Sequence, residues 1–344
     1  MSSTIYYYTD DFSSVSKSNS MKLEDSTIVK FTVAKEFSEN KRINAIDFSQ
    51  DGKHLLTSSD DDTIRLYDCE KGVQLRELFS KKYGVDLIKH THAKNTAIHT
   101  STKENDTIRY LSLHDNKYLR YFCGHEKRVV TLCMSPADDT FLSGSLDQTV
   151  RLWDLKSDKG VAKLSFSGST GPIASFDPEG LIFAVGGDSE VLKFFDLRHY
   201  DKGPFSTIKI SQKNPAFMNW HSLKFSPDGK QMLITTNCEE LYVLDAFNGD
   251  LKHKLTIGPP VSKPVEHPCE ASYSPDSQYI LSGAEDGCLH VWSASKGSKV
   301  CILKPARSRA EPVQCVKFNP RYMMIGSASS KMTFWIPADE WNTK

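Results

Sequence analysis

Three residues of this chain, His125, Ser143 and Asp147, are the types a hydrolase uses for acyl transfer. In that chemistry a serine hydroxyl attacks, an imidazole takes its proton, and a carboxylate holds the imidazole tautomer. Gly187-Asp-Ser189 also has the residue order found around some hydrolytic serines. His90-Thr-His92, with His99 nearby, would set two imidazoles on one face of a strand, as some metal sites do. No acidic or cysteine partner has fitting spacing there, so solvated or core histidines are expected. The sequence contains no G-x-x-x-x-G-K-[ST] phosphate cradle and no G-x-G-x-x-G leading from a strand into a helix. No catalytic residue, metal ligand or cofactor is assigned. The role of the Ser-His-Asp set depends on the elements that carry it.

Those elements repeat. Ser143 to Asp154 reads SGSLDQTVRLWD, two short strands joined by a tight Asp-bearing turn. Weaker copies are TSSDDDTIRLYD at Thr57 to Asp68 and SGAEDGCLHVW at Ser282 to Trp292. With Trp153 as anchor, the equivalents are Tyr67, Leu111, Phe195, Leu244, Trp292 and Trp335, at steps of 44, 42, 42, 49, 48 and 43 residues. Seven such units, each rich in short strands, match the propeller period of ~40–45 residues. A second alternating pattern precedes each anchor, as in Ile43-Asn-Ala-Ile-Asp-Phe48 and Val313-Gln-Cys-Val-Lys-Phe318. Turn signals follow at Gln50-Asp-Gly52, Pro178-Glu-Gly180 and Pro227-Asp-Gly229. Gly187-Asp-Ser189 falls at the turn of the fourth unit, where turn chemistry explains it. Ile28 to Phe37 reads as a strand ahead of the first unit, and too few residues follow Trp335 for a further strand pair. The N-terminal strand is therefore expected to complete the seventh blade, which removes an exposed sheet edge.

These residues resemble the WD-repeat family, with Gly124-His125 where that family places its Gly-His pair. The resemblance implies a buried polar tetrad of His125, Ser143, Asp147 and Trp153. Such a network rigidifies a blade once every member is satisfied. Unit one keeps Thr57 and Asp61 but has Tyr67; unit six keeps Ser282, Asp286 and Trp292 without a well-placed histidine. Units two, four, five and seven are degenerate, so apolar packing is expected to hold them. The fold expected is all-β, a seven-bladed WD-repeat β-propeller over residues 26–337. It follows a disordered Ser- and Tyr-rich tail, 1–25, and precedes a short tail, 338–344.

Charge is balanced, 43 basic against 43 acidic residues, which argues against nucleic-acid binding by bulk electrostatics. No direct sequence-specific nucleic-acid binding is expected. No apolar run approaches the ~20 residues a membrane span needs, and no signal-peptide core is visible. The 8 cysteines form no C-x-x-C pair and read as reduced packing thiols of cytosol or nucleus.

In WD-type propellers the loops between blades and the middle turn of each blade share one face. Three loops entering units five, six and seven look enlarged: 211–220, 258–268 and 304–312. They carry Phe217, Trp220, Lys304, Arg307 and Arg309; Lys127 and Arg128 would extend the patch. Aromatic and arginine side chains are favoured at interface hot spots, and arginine pairs with phosphate or carboxylate. This sector is expected to bind an acidic or phosphorylated peptide, or a partner subunit; the alternative is a solvated loop edge with Trp220 in the core.

More specific strings include Ser80-Lys-Lys-Tyr-Gly-Val-Asp-Leu87, Asp106 to Tyr118, Ser175 to Phe183, Asp201-Lys-Gly-Pro-Phe205 and Phe334-Trp-Ile-Pro337. From about Met21 to Pro337 the chain is similar to the small WD-repeat subunits of COMPASS-type histone methyltransferase complexes. The resemblance implies a nuclear, non-enzymatic adaptor. It would partner a SET-domain methyltransferase that modifies histone H3 lysine 4, and RNA polymerase II with phosphorylated C-terminal repeats. It also implies an alternative setting, with a protein phosphatase 1 regulatory subunit in transcription termination and RNA 3′-end processing.

Overall fold

Short strands separated by tight turns pair most readily with their neighbours in sequence, because little loop entropy is lost. The computed structural model describes residues 22–168, 170–187, 190–210, 219–258, 268–305 and 311–338. Among these residues the strands form seven four-stranded antiparallel sheets, the blades of a propeller. In blade three the order from axis to rim is Val129–Met134, Thr140–Ser145, Thr149–Asp154 and Ala162–Ser165. Every anchor lies on the third strand of its blade and is buried.

The seventh blade mixes the two ends of the chain. Phe31–Ser38 pairs with Lys331–Pro337, from Phe31 opposite Pro337 to Ser38 opposite Lys331. The expected closure is therefore present. The strand starts at Phe31 rather than Ile28, because Asp25–Ile28 is a short helical turn. Leu23 and Ile28 are buried between blades six and seven, and the Leu23 N–H donates to Asp276 at 2.7 Å. Packing thus begins before the expected boundary at 26. The contact to Asp276 is long-range, and no local pattern in residues 22–28 announces it.

Twisted blades with two apolar faces must stack on each other. The core accordingly divides into seven apolar layers, one between each adjacent pair of blades. The layer between blades seven and one holds Tyr67, Met332 and Phe334, so packing closes the ring as well as strand pairing. Three outermost strands, Lys117–Phe122, Ala162–Ser165 and Ser206–Lys209, cover alternate residues, as one-sided packing requires. No helix among the described residues is long and apolar enough to cross a membrane.

Candidate functional site

The Ser-His-Asp set is assembled by blade three, where a tight turn links the second and third strands. The Trp153 Nε1–H donates to Ser143 Oγ at 2.8 Å. Ser143 Oγ lies 2.7 Å from His125 Nε2, and His125 Nδ1 lies 2.9 Å from Asp147. Because the indole can only donate, Ser143 gives its proton to Nε2, and Nδ1–H donates to Asp147. The serine hydroxyl thus lies between an indole and an imidazole, with no exposed surface. Such a hydroxyl cannot meet a substrate, and the four groups act as a brace. Gly124 allows the close approach: a Cβ there would sit 2.5 Å from the Arg151 guanidinium, which donates to the Gly124 carbonyl at 2.7 Å.

Burial pushes the His125 imidazole below its ordinary value of 6.5, against the pull of Asp147. Burial works to raise Asp147, but hydrogen bonds from Thr149 and His125 outweigh it and hold the carboxyl at about 2. In both cases the unfolded chain binds more protons than the folded chain as pH falls, so acid destabilises. Stability should decline as pH drops through about 6.5 and again between about 4 and 2. Chemical denaturation across that range checks this, and Asp147→Asn should shrink the second decline, to which Asp47 and Glu270, also held below their ordinary values, contribute as well.

Blade one builds a different brace at the same place. Glu39 stands where blade three has histidine. Its carboxylate accepts from Thr57 Oγ1 and the Tyr67 hydroxyl, each at 2.9 Å, and from Arg65. Arg65 also contacts Asp61 at 3.1 Å and Glu77 at 2.8 Å. The sequence signal was present: Glu39 precedes Thr57 by 18 residues and Asp61 by 22, as His125 precedes Ser143 and Asp147. A search for histidine alone misses it. Blade seven, expected to rely on apolar packing, keeps one polar link, Trp335 Nε1–H to Ser327 Oγ at 2.8 Å. A shorter turn puts this serine 8 residues ahead of its tryptophan, against 10 in blade three, which displaces it from the usual spacing.

The three histidines turn to different partners. His90 meets Asp47, His92 meets Asp139 at 3.5 Å, and His99 is fully buried, where desolvation pushes it to about 4. Asp188 and Ser189 of the Gly-Asp-Ser string lie outside the described residues.

Of the expected partner-binding residues, Lys127 and Arg128 are exposed on the connection between blades two and three. The Arg128 guanidinium bridges to Asp86 at 2.7 Å. Lys304 is exposed just beyond Lys299–Leu303 of blade six. Trp220 corrects the expectation: it is buried, on the innermost strand of blade five, against Ile173 and Gly186. Its ring fills the space left by a glycine and is not offered to a partner. Phe217, Arg307 and Arg309, with most of the three enlarged loops, lie outside the described residues. The innermost strands of all seven blades line an axial channel of about 1000 Å³, into which Lys89, Lys224 and Lys317 project. Sequence reasoning overlooked these lysines. Their signal was a charge between two apolar or aromatic neighbours, as in Leu223-Lys-Phe225 and Val316-Lys-Phe318.

The chain is 56% identical to WD repeat-containing protein 82 of Drosophila melanogaster, over 93% of this chain and 98% of the relative. It belongs to the WD repeat-containing protein 82 family. The family model for the WD domain, G-beta repeat, matches residues 31–68, 116–154 and 262–293. Two further relatives are 33% identical. COMPASS component SWD2 of Saccharomyces cerevisiae is matched over 90% of this chain and 96% of the relative. Set1 complex component swd2 of Schizosaccharomyces pombe is matched over 85% and 92%. In this family member the first match ends at Asp68 and the second at Asp154, the last residues of the third strands of blades one and three. Those are the two blades with the most developed polar braces.

Proposed function

We infer that this protein is a non-enzymatic scaffold subunit of a nuclear, COMPASS-type histone H3 lysine-4 methyltransferase complex. The carrying observation is that likeness to a COMPASS component and a Set1 complex component extends over 85–90% of the chain, well beyond the matched repeats. The Ser-His-Asp set being a sealed brace is consistent with a scaffold. In the finer reading the subunit links its complex to RNA polymerase II bearing phosphorylated C-terminal repeats. The exposed Lys127, Arg128 and Lys304 support it. Arginine forks pair with phosphate in two parallel hydrogen bonds.

Affinity purification of the tagged chain from nuclear extract, with mass spectrometry, tests the assignment. Recovery of a SET-domain methyltransferase with its core subunits is expected. Phosphatase 1 and termination factors without that methyltransferase would overturn it in favour of a termination complex. Arg307→Glu with Arg309→Glu should reduce partner capture at least about tenfold, as loss of charge-assisted contacts implies. Its melting temperature should not change.

A further inference from the structure

The innermost strand of each blade places one side chain at a common depth in the axial channel. Asp47, Lys89, Lys224, Ser272 and Lys317 lie opposite Leu56, Ile98, Leu233, Leu281 and Gly326, equivalent positions of their second strands. Cys133 and Ser175 complete this ring. The lysines are unevenly neutralised. Lys89 and Lys317 both contact the same oxygen of Asp47, at 3.3 and 2.6 Å. The other oxygen of Asp47 accepts the His90 N–H at 2.8 Å, so this carboxylate is saturated. Lys224 pairs with Glu270 and donates to the Ala271 carbonyl at 2.7 Å. Three ammonium groups therefore share two carboxylates, which leaves one positive charge in excess inside a low-dielectric tube. Such a cleft focuses its field on an anion.

Two further observations point the same way. Ser272 is 7% exposed, and its hydroxyl has no hydrogen-bond partner. A buried hydroxyl without a partner calls for a missing acceptor. Burial and the neighbouring Lys89 ammonium push Lys317 down against the pull of Asp47, while the same carboxylate holds Lys89 up. An added negative charge would relieve that push.

We propose that this ring binds a small phosphate-class oxyanion, held by Lys89, Lys224 and Lys317 with the Ser272 hydroxyl donating to it. A tetrahedral oxyanion spreads its acceptor oxygens in three dimensions, where a carboxylate offers two in one plane. It would tie together blades two, five, six and seven across the axis. The site stands on the channel alone and does not depend on which complex the protein joins.

Calorimetric titration of the full chain with inorganic phosphate and then pyrophosphate tests this, at constant ionic strength set with chloride. Thermal melts run in parallel. One saturable site per chain and a raised melting temperature are expected. Lys224→Gln and Lys317→Gln should each weaken binding at least about tenfold, since each removes a charge-assisted hydrogen bond. Ser272→Ala, which leaves the ion pairs intact, should weaken it about threefold. Asp47→Asn should strengthen binding severalfold, because it frees two ammonium groups; a variant that merely failed to fold could not do so. Three outcomes would overturn the site. They are no saturable heat up to about 10 mM of either anion, a response matched by chloride, or affinity unchanged in Lys224→Gln and Ser272→Ala.

Discussion

Glu39→Ala should cost about 3–5 kcal/mol of folding free energy, the usual result of removing one partner from a buried ionic network. The Glu39 side chain is 1% exposed and accepts from Thr57, Tyr67 and Arg65 together. Without it, two buried hydroxyls lose the acceptor they share, and Arg65 keeps only Asp61 and Glu77. The damage would spread to the ring closure. The Tyr67 ring packs at 4.8 Å from Phe37 and 6.3 Å from Phe334, both in blade seven. Glu39→Gln should cost less, since an amide oxygen still accepts from Tyr67 and Thr57. Equilibrium urea denaturation measures both. A midpoint unchanged by Glu39→Ala would show that the network stabilises nothing.

Trp153→Ala should destabilise by a similar amount, about 3–5 kcal/mol, for a different reason. The side chain has no exposed surface and packs between Phe122, at 5.7 Å, and Phe141, at 6.1 Å. Its loss leaves a cavity that the rigid strands cannot close, and Ser143 loses its donor. Trp153→Phe would keep much of the volume, so most of its cost should be the missing N–H, about 1–2 kcal/mol. Hydrogen exchange should locate the effect. Amides of Thr140–Ser145 and Thr149–Asp154 are expected to lose protection before those of blade six. Uniform loss across all blades would mean that blade three is no independent unit.

The blades were legible in the sequence because each is a local object. A turn of Asp and Gly, an alternating run and an anchor such as Trp153 or Tyr67 lie within one unit, and antiparallel pairing follows from proximity. The closure by Phe31–Ser38 was legible too, since an unpaired strand at one end matched a blade short of one at the other. Residue types read singly were less informative. Glu39 does the work of His125 because geometry requires an acceptor there, and the chain answered with a carboxylate that also holds Arg65. Trp220 looked like a surface anchor in a long loop, yet a glycine in the neighbouring blade made room to bury it.

The balance of charges in the axial channel was not legible in the sequence. Asp47 and Lys317 are 270 residues apart, and neither unit alone shows that its charge will face the other. Each innermost strand specifies which of its side chains points inward, through its own alternation. The number of charges that meet at the axis is a sum over seven blades, and it exists only once the ring has closed.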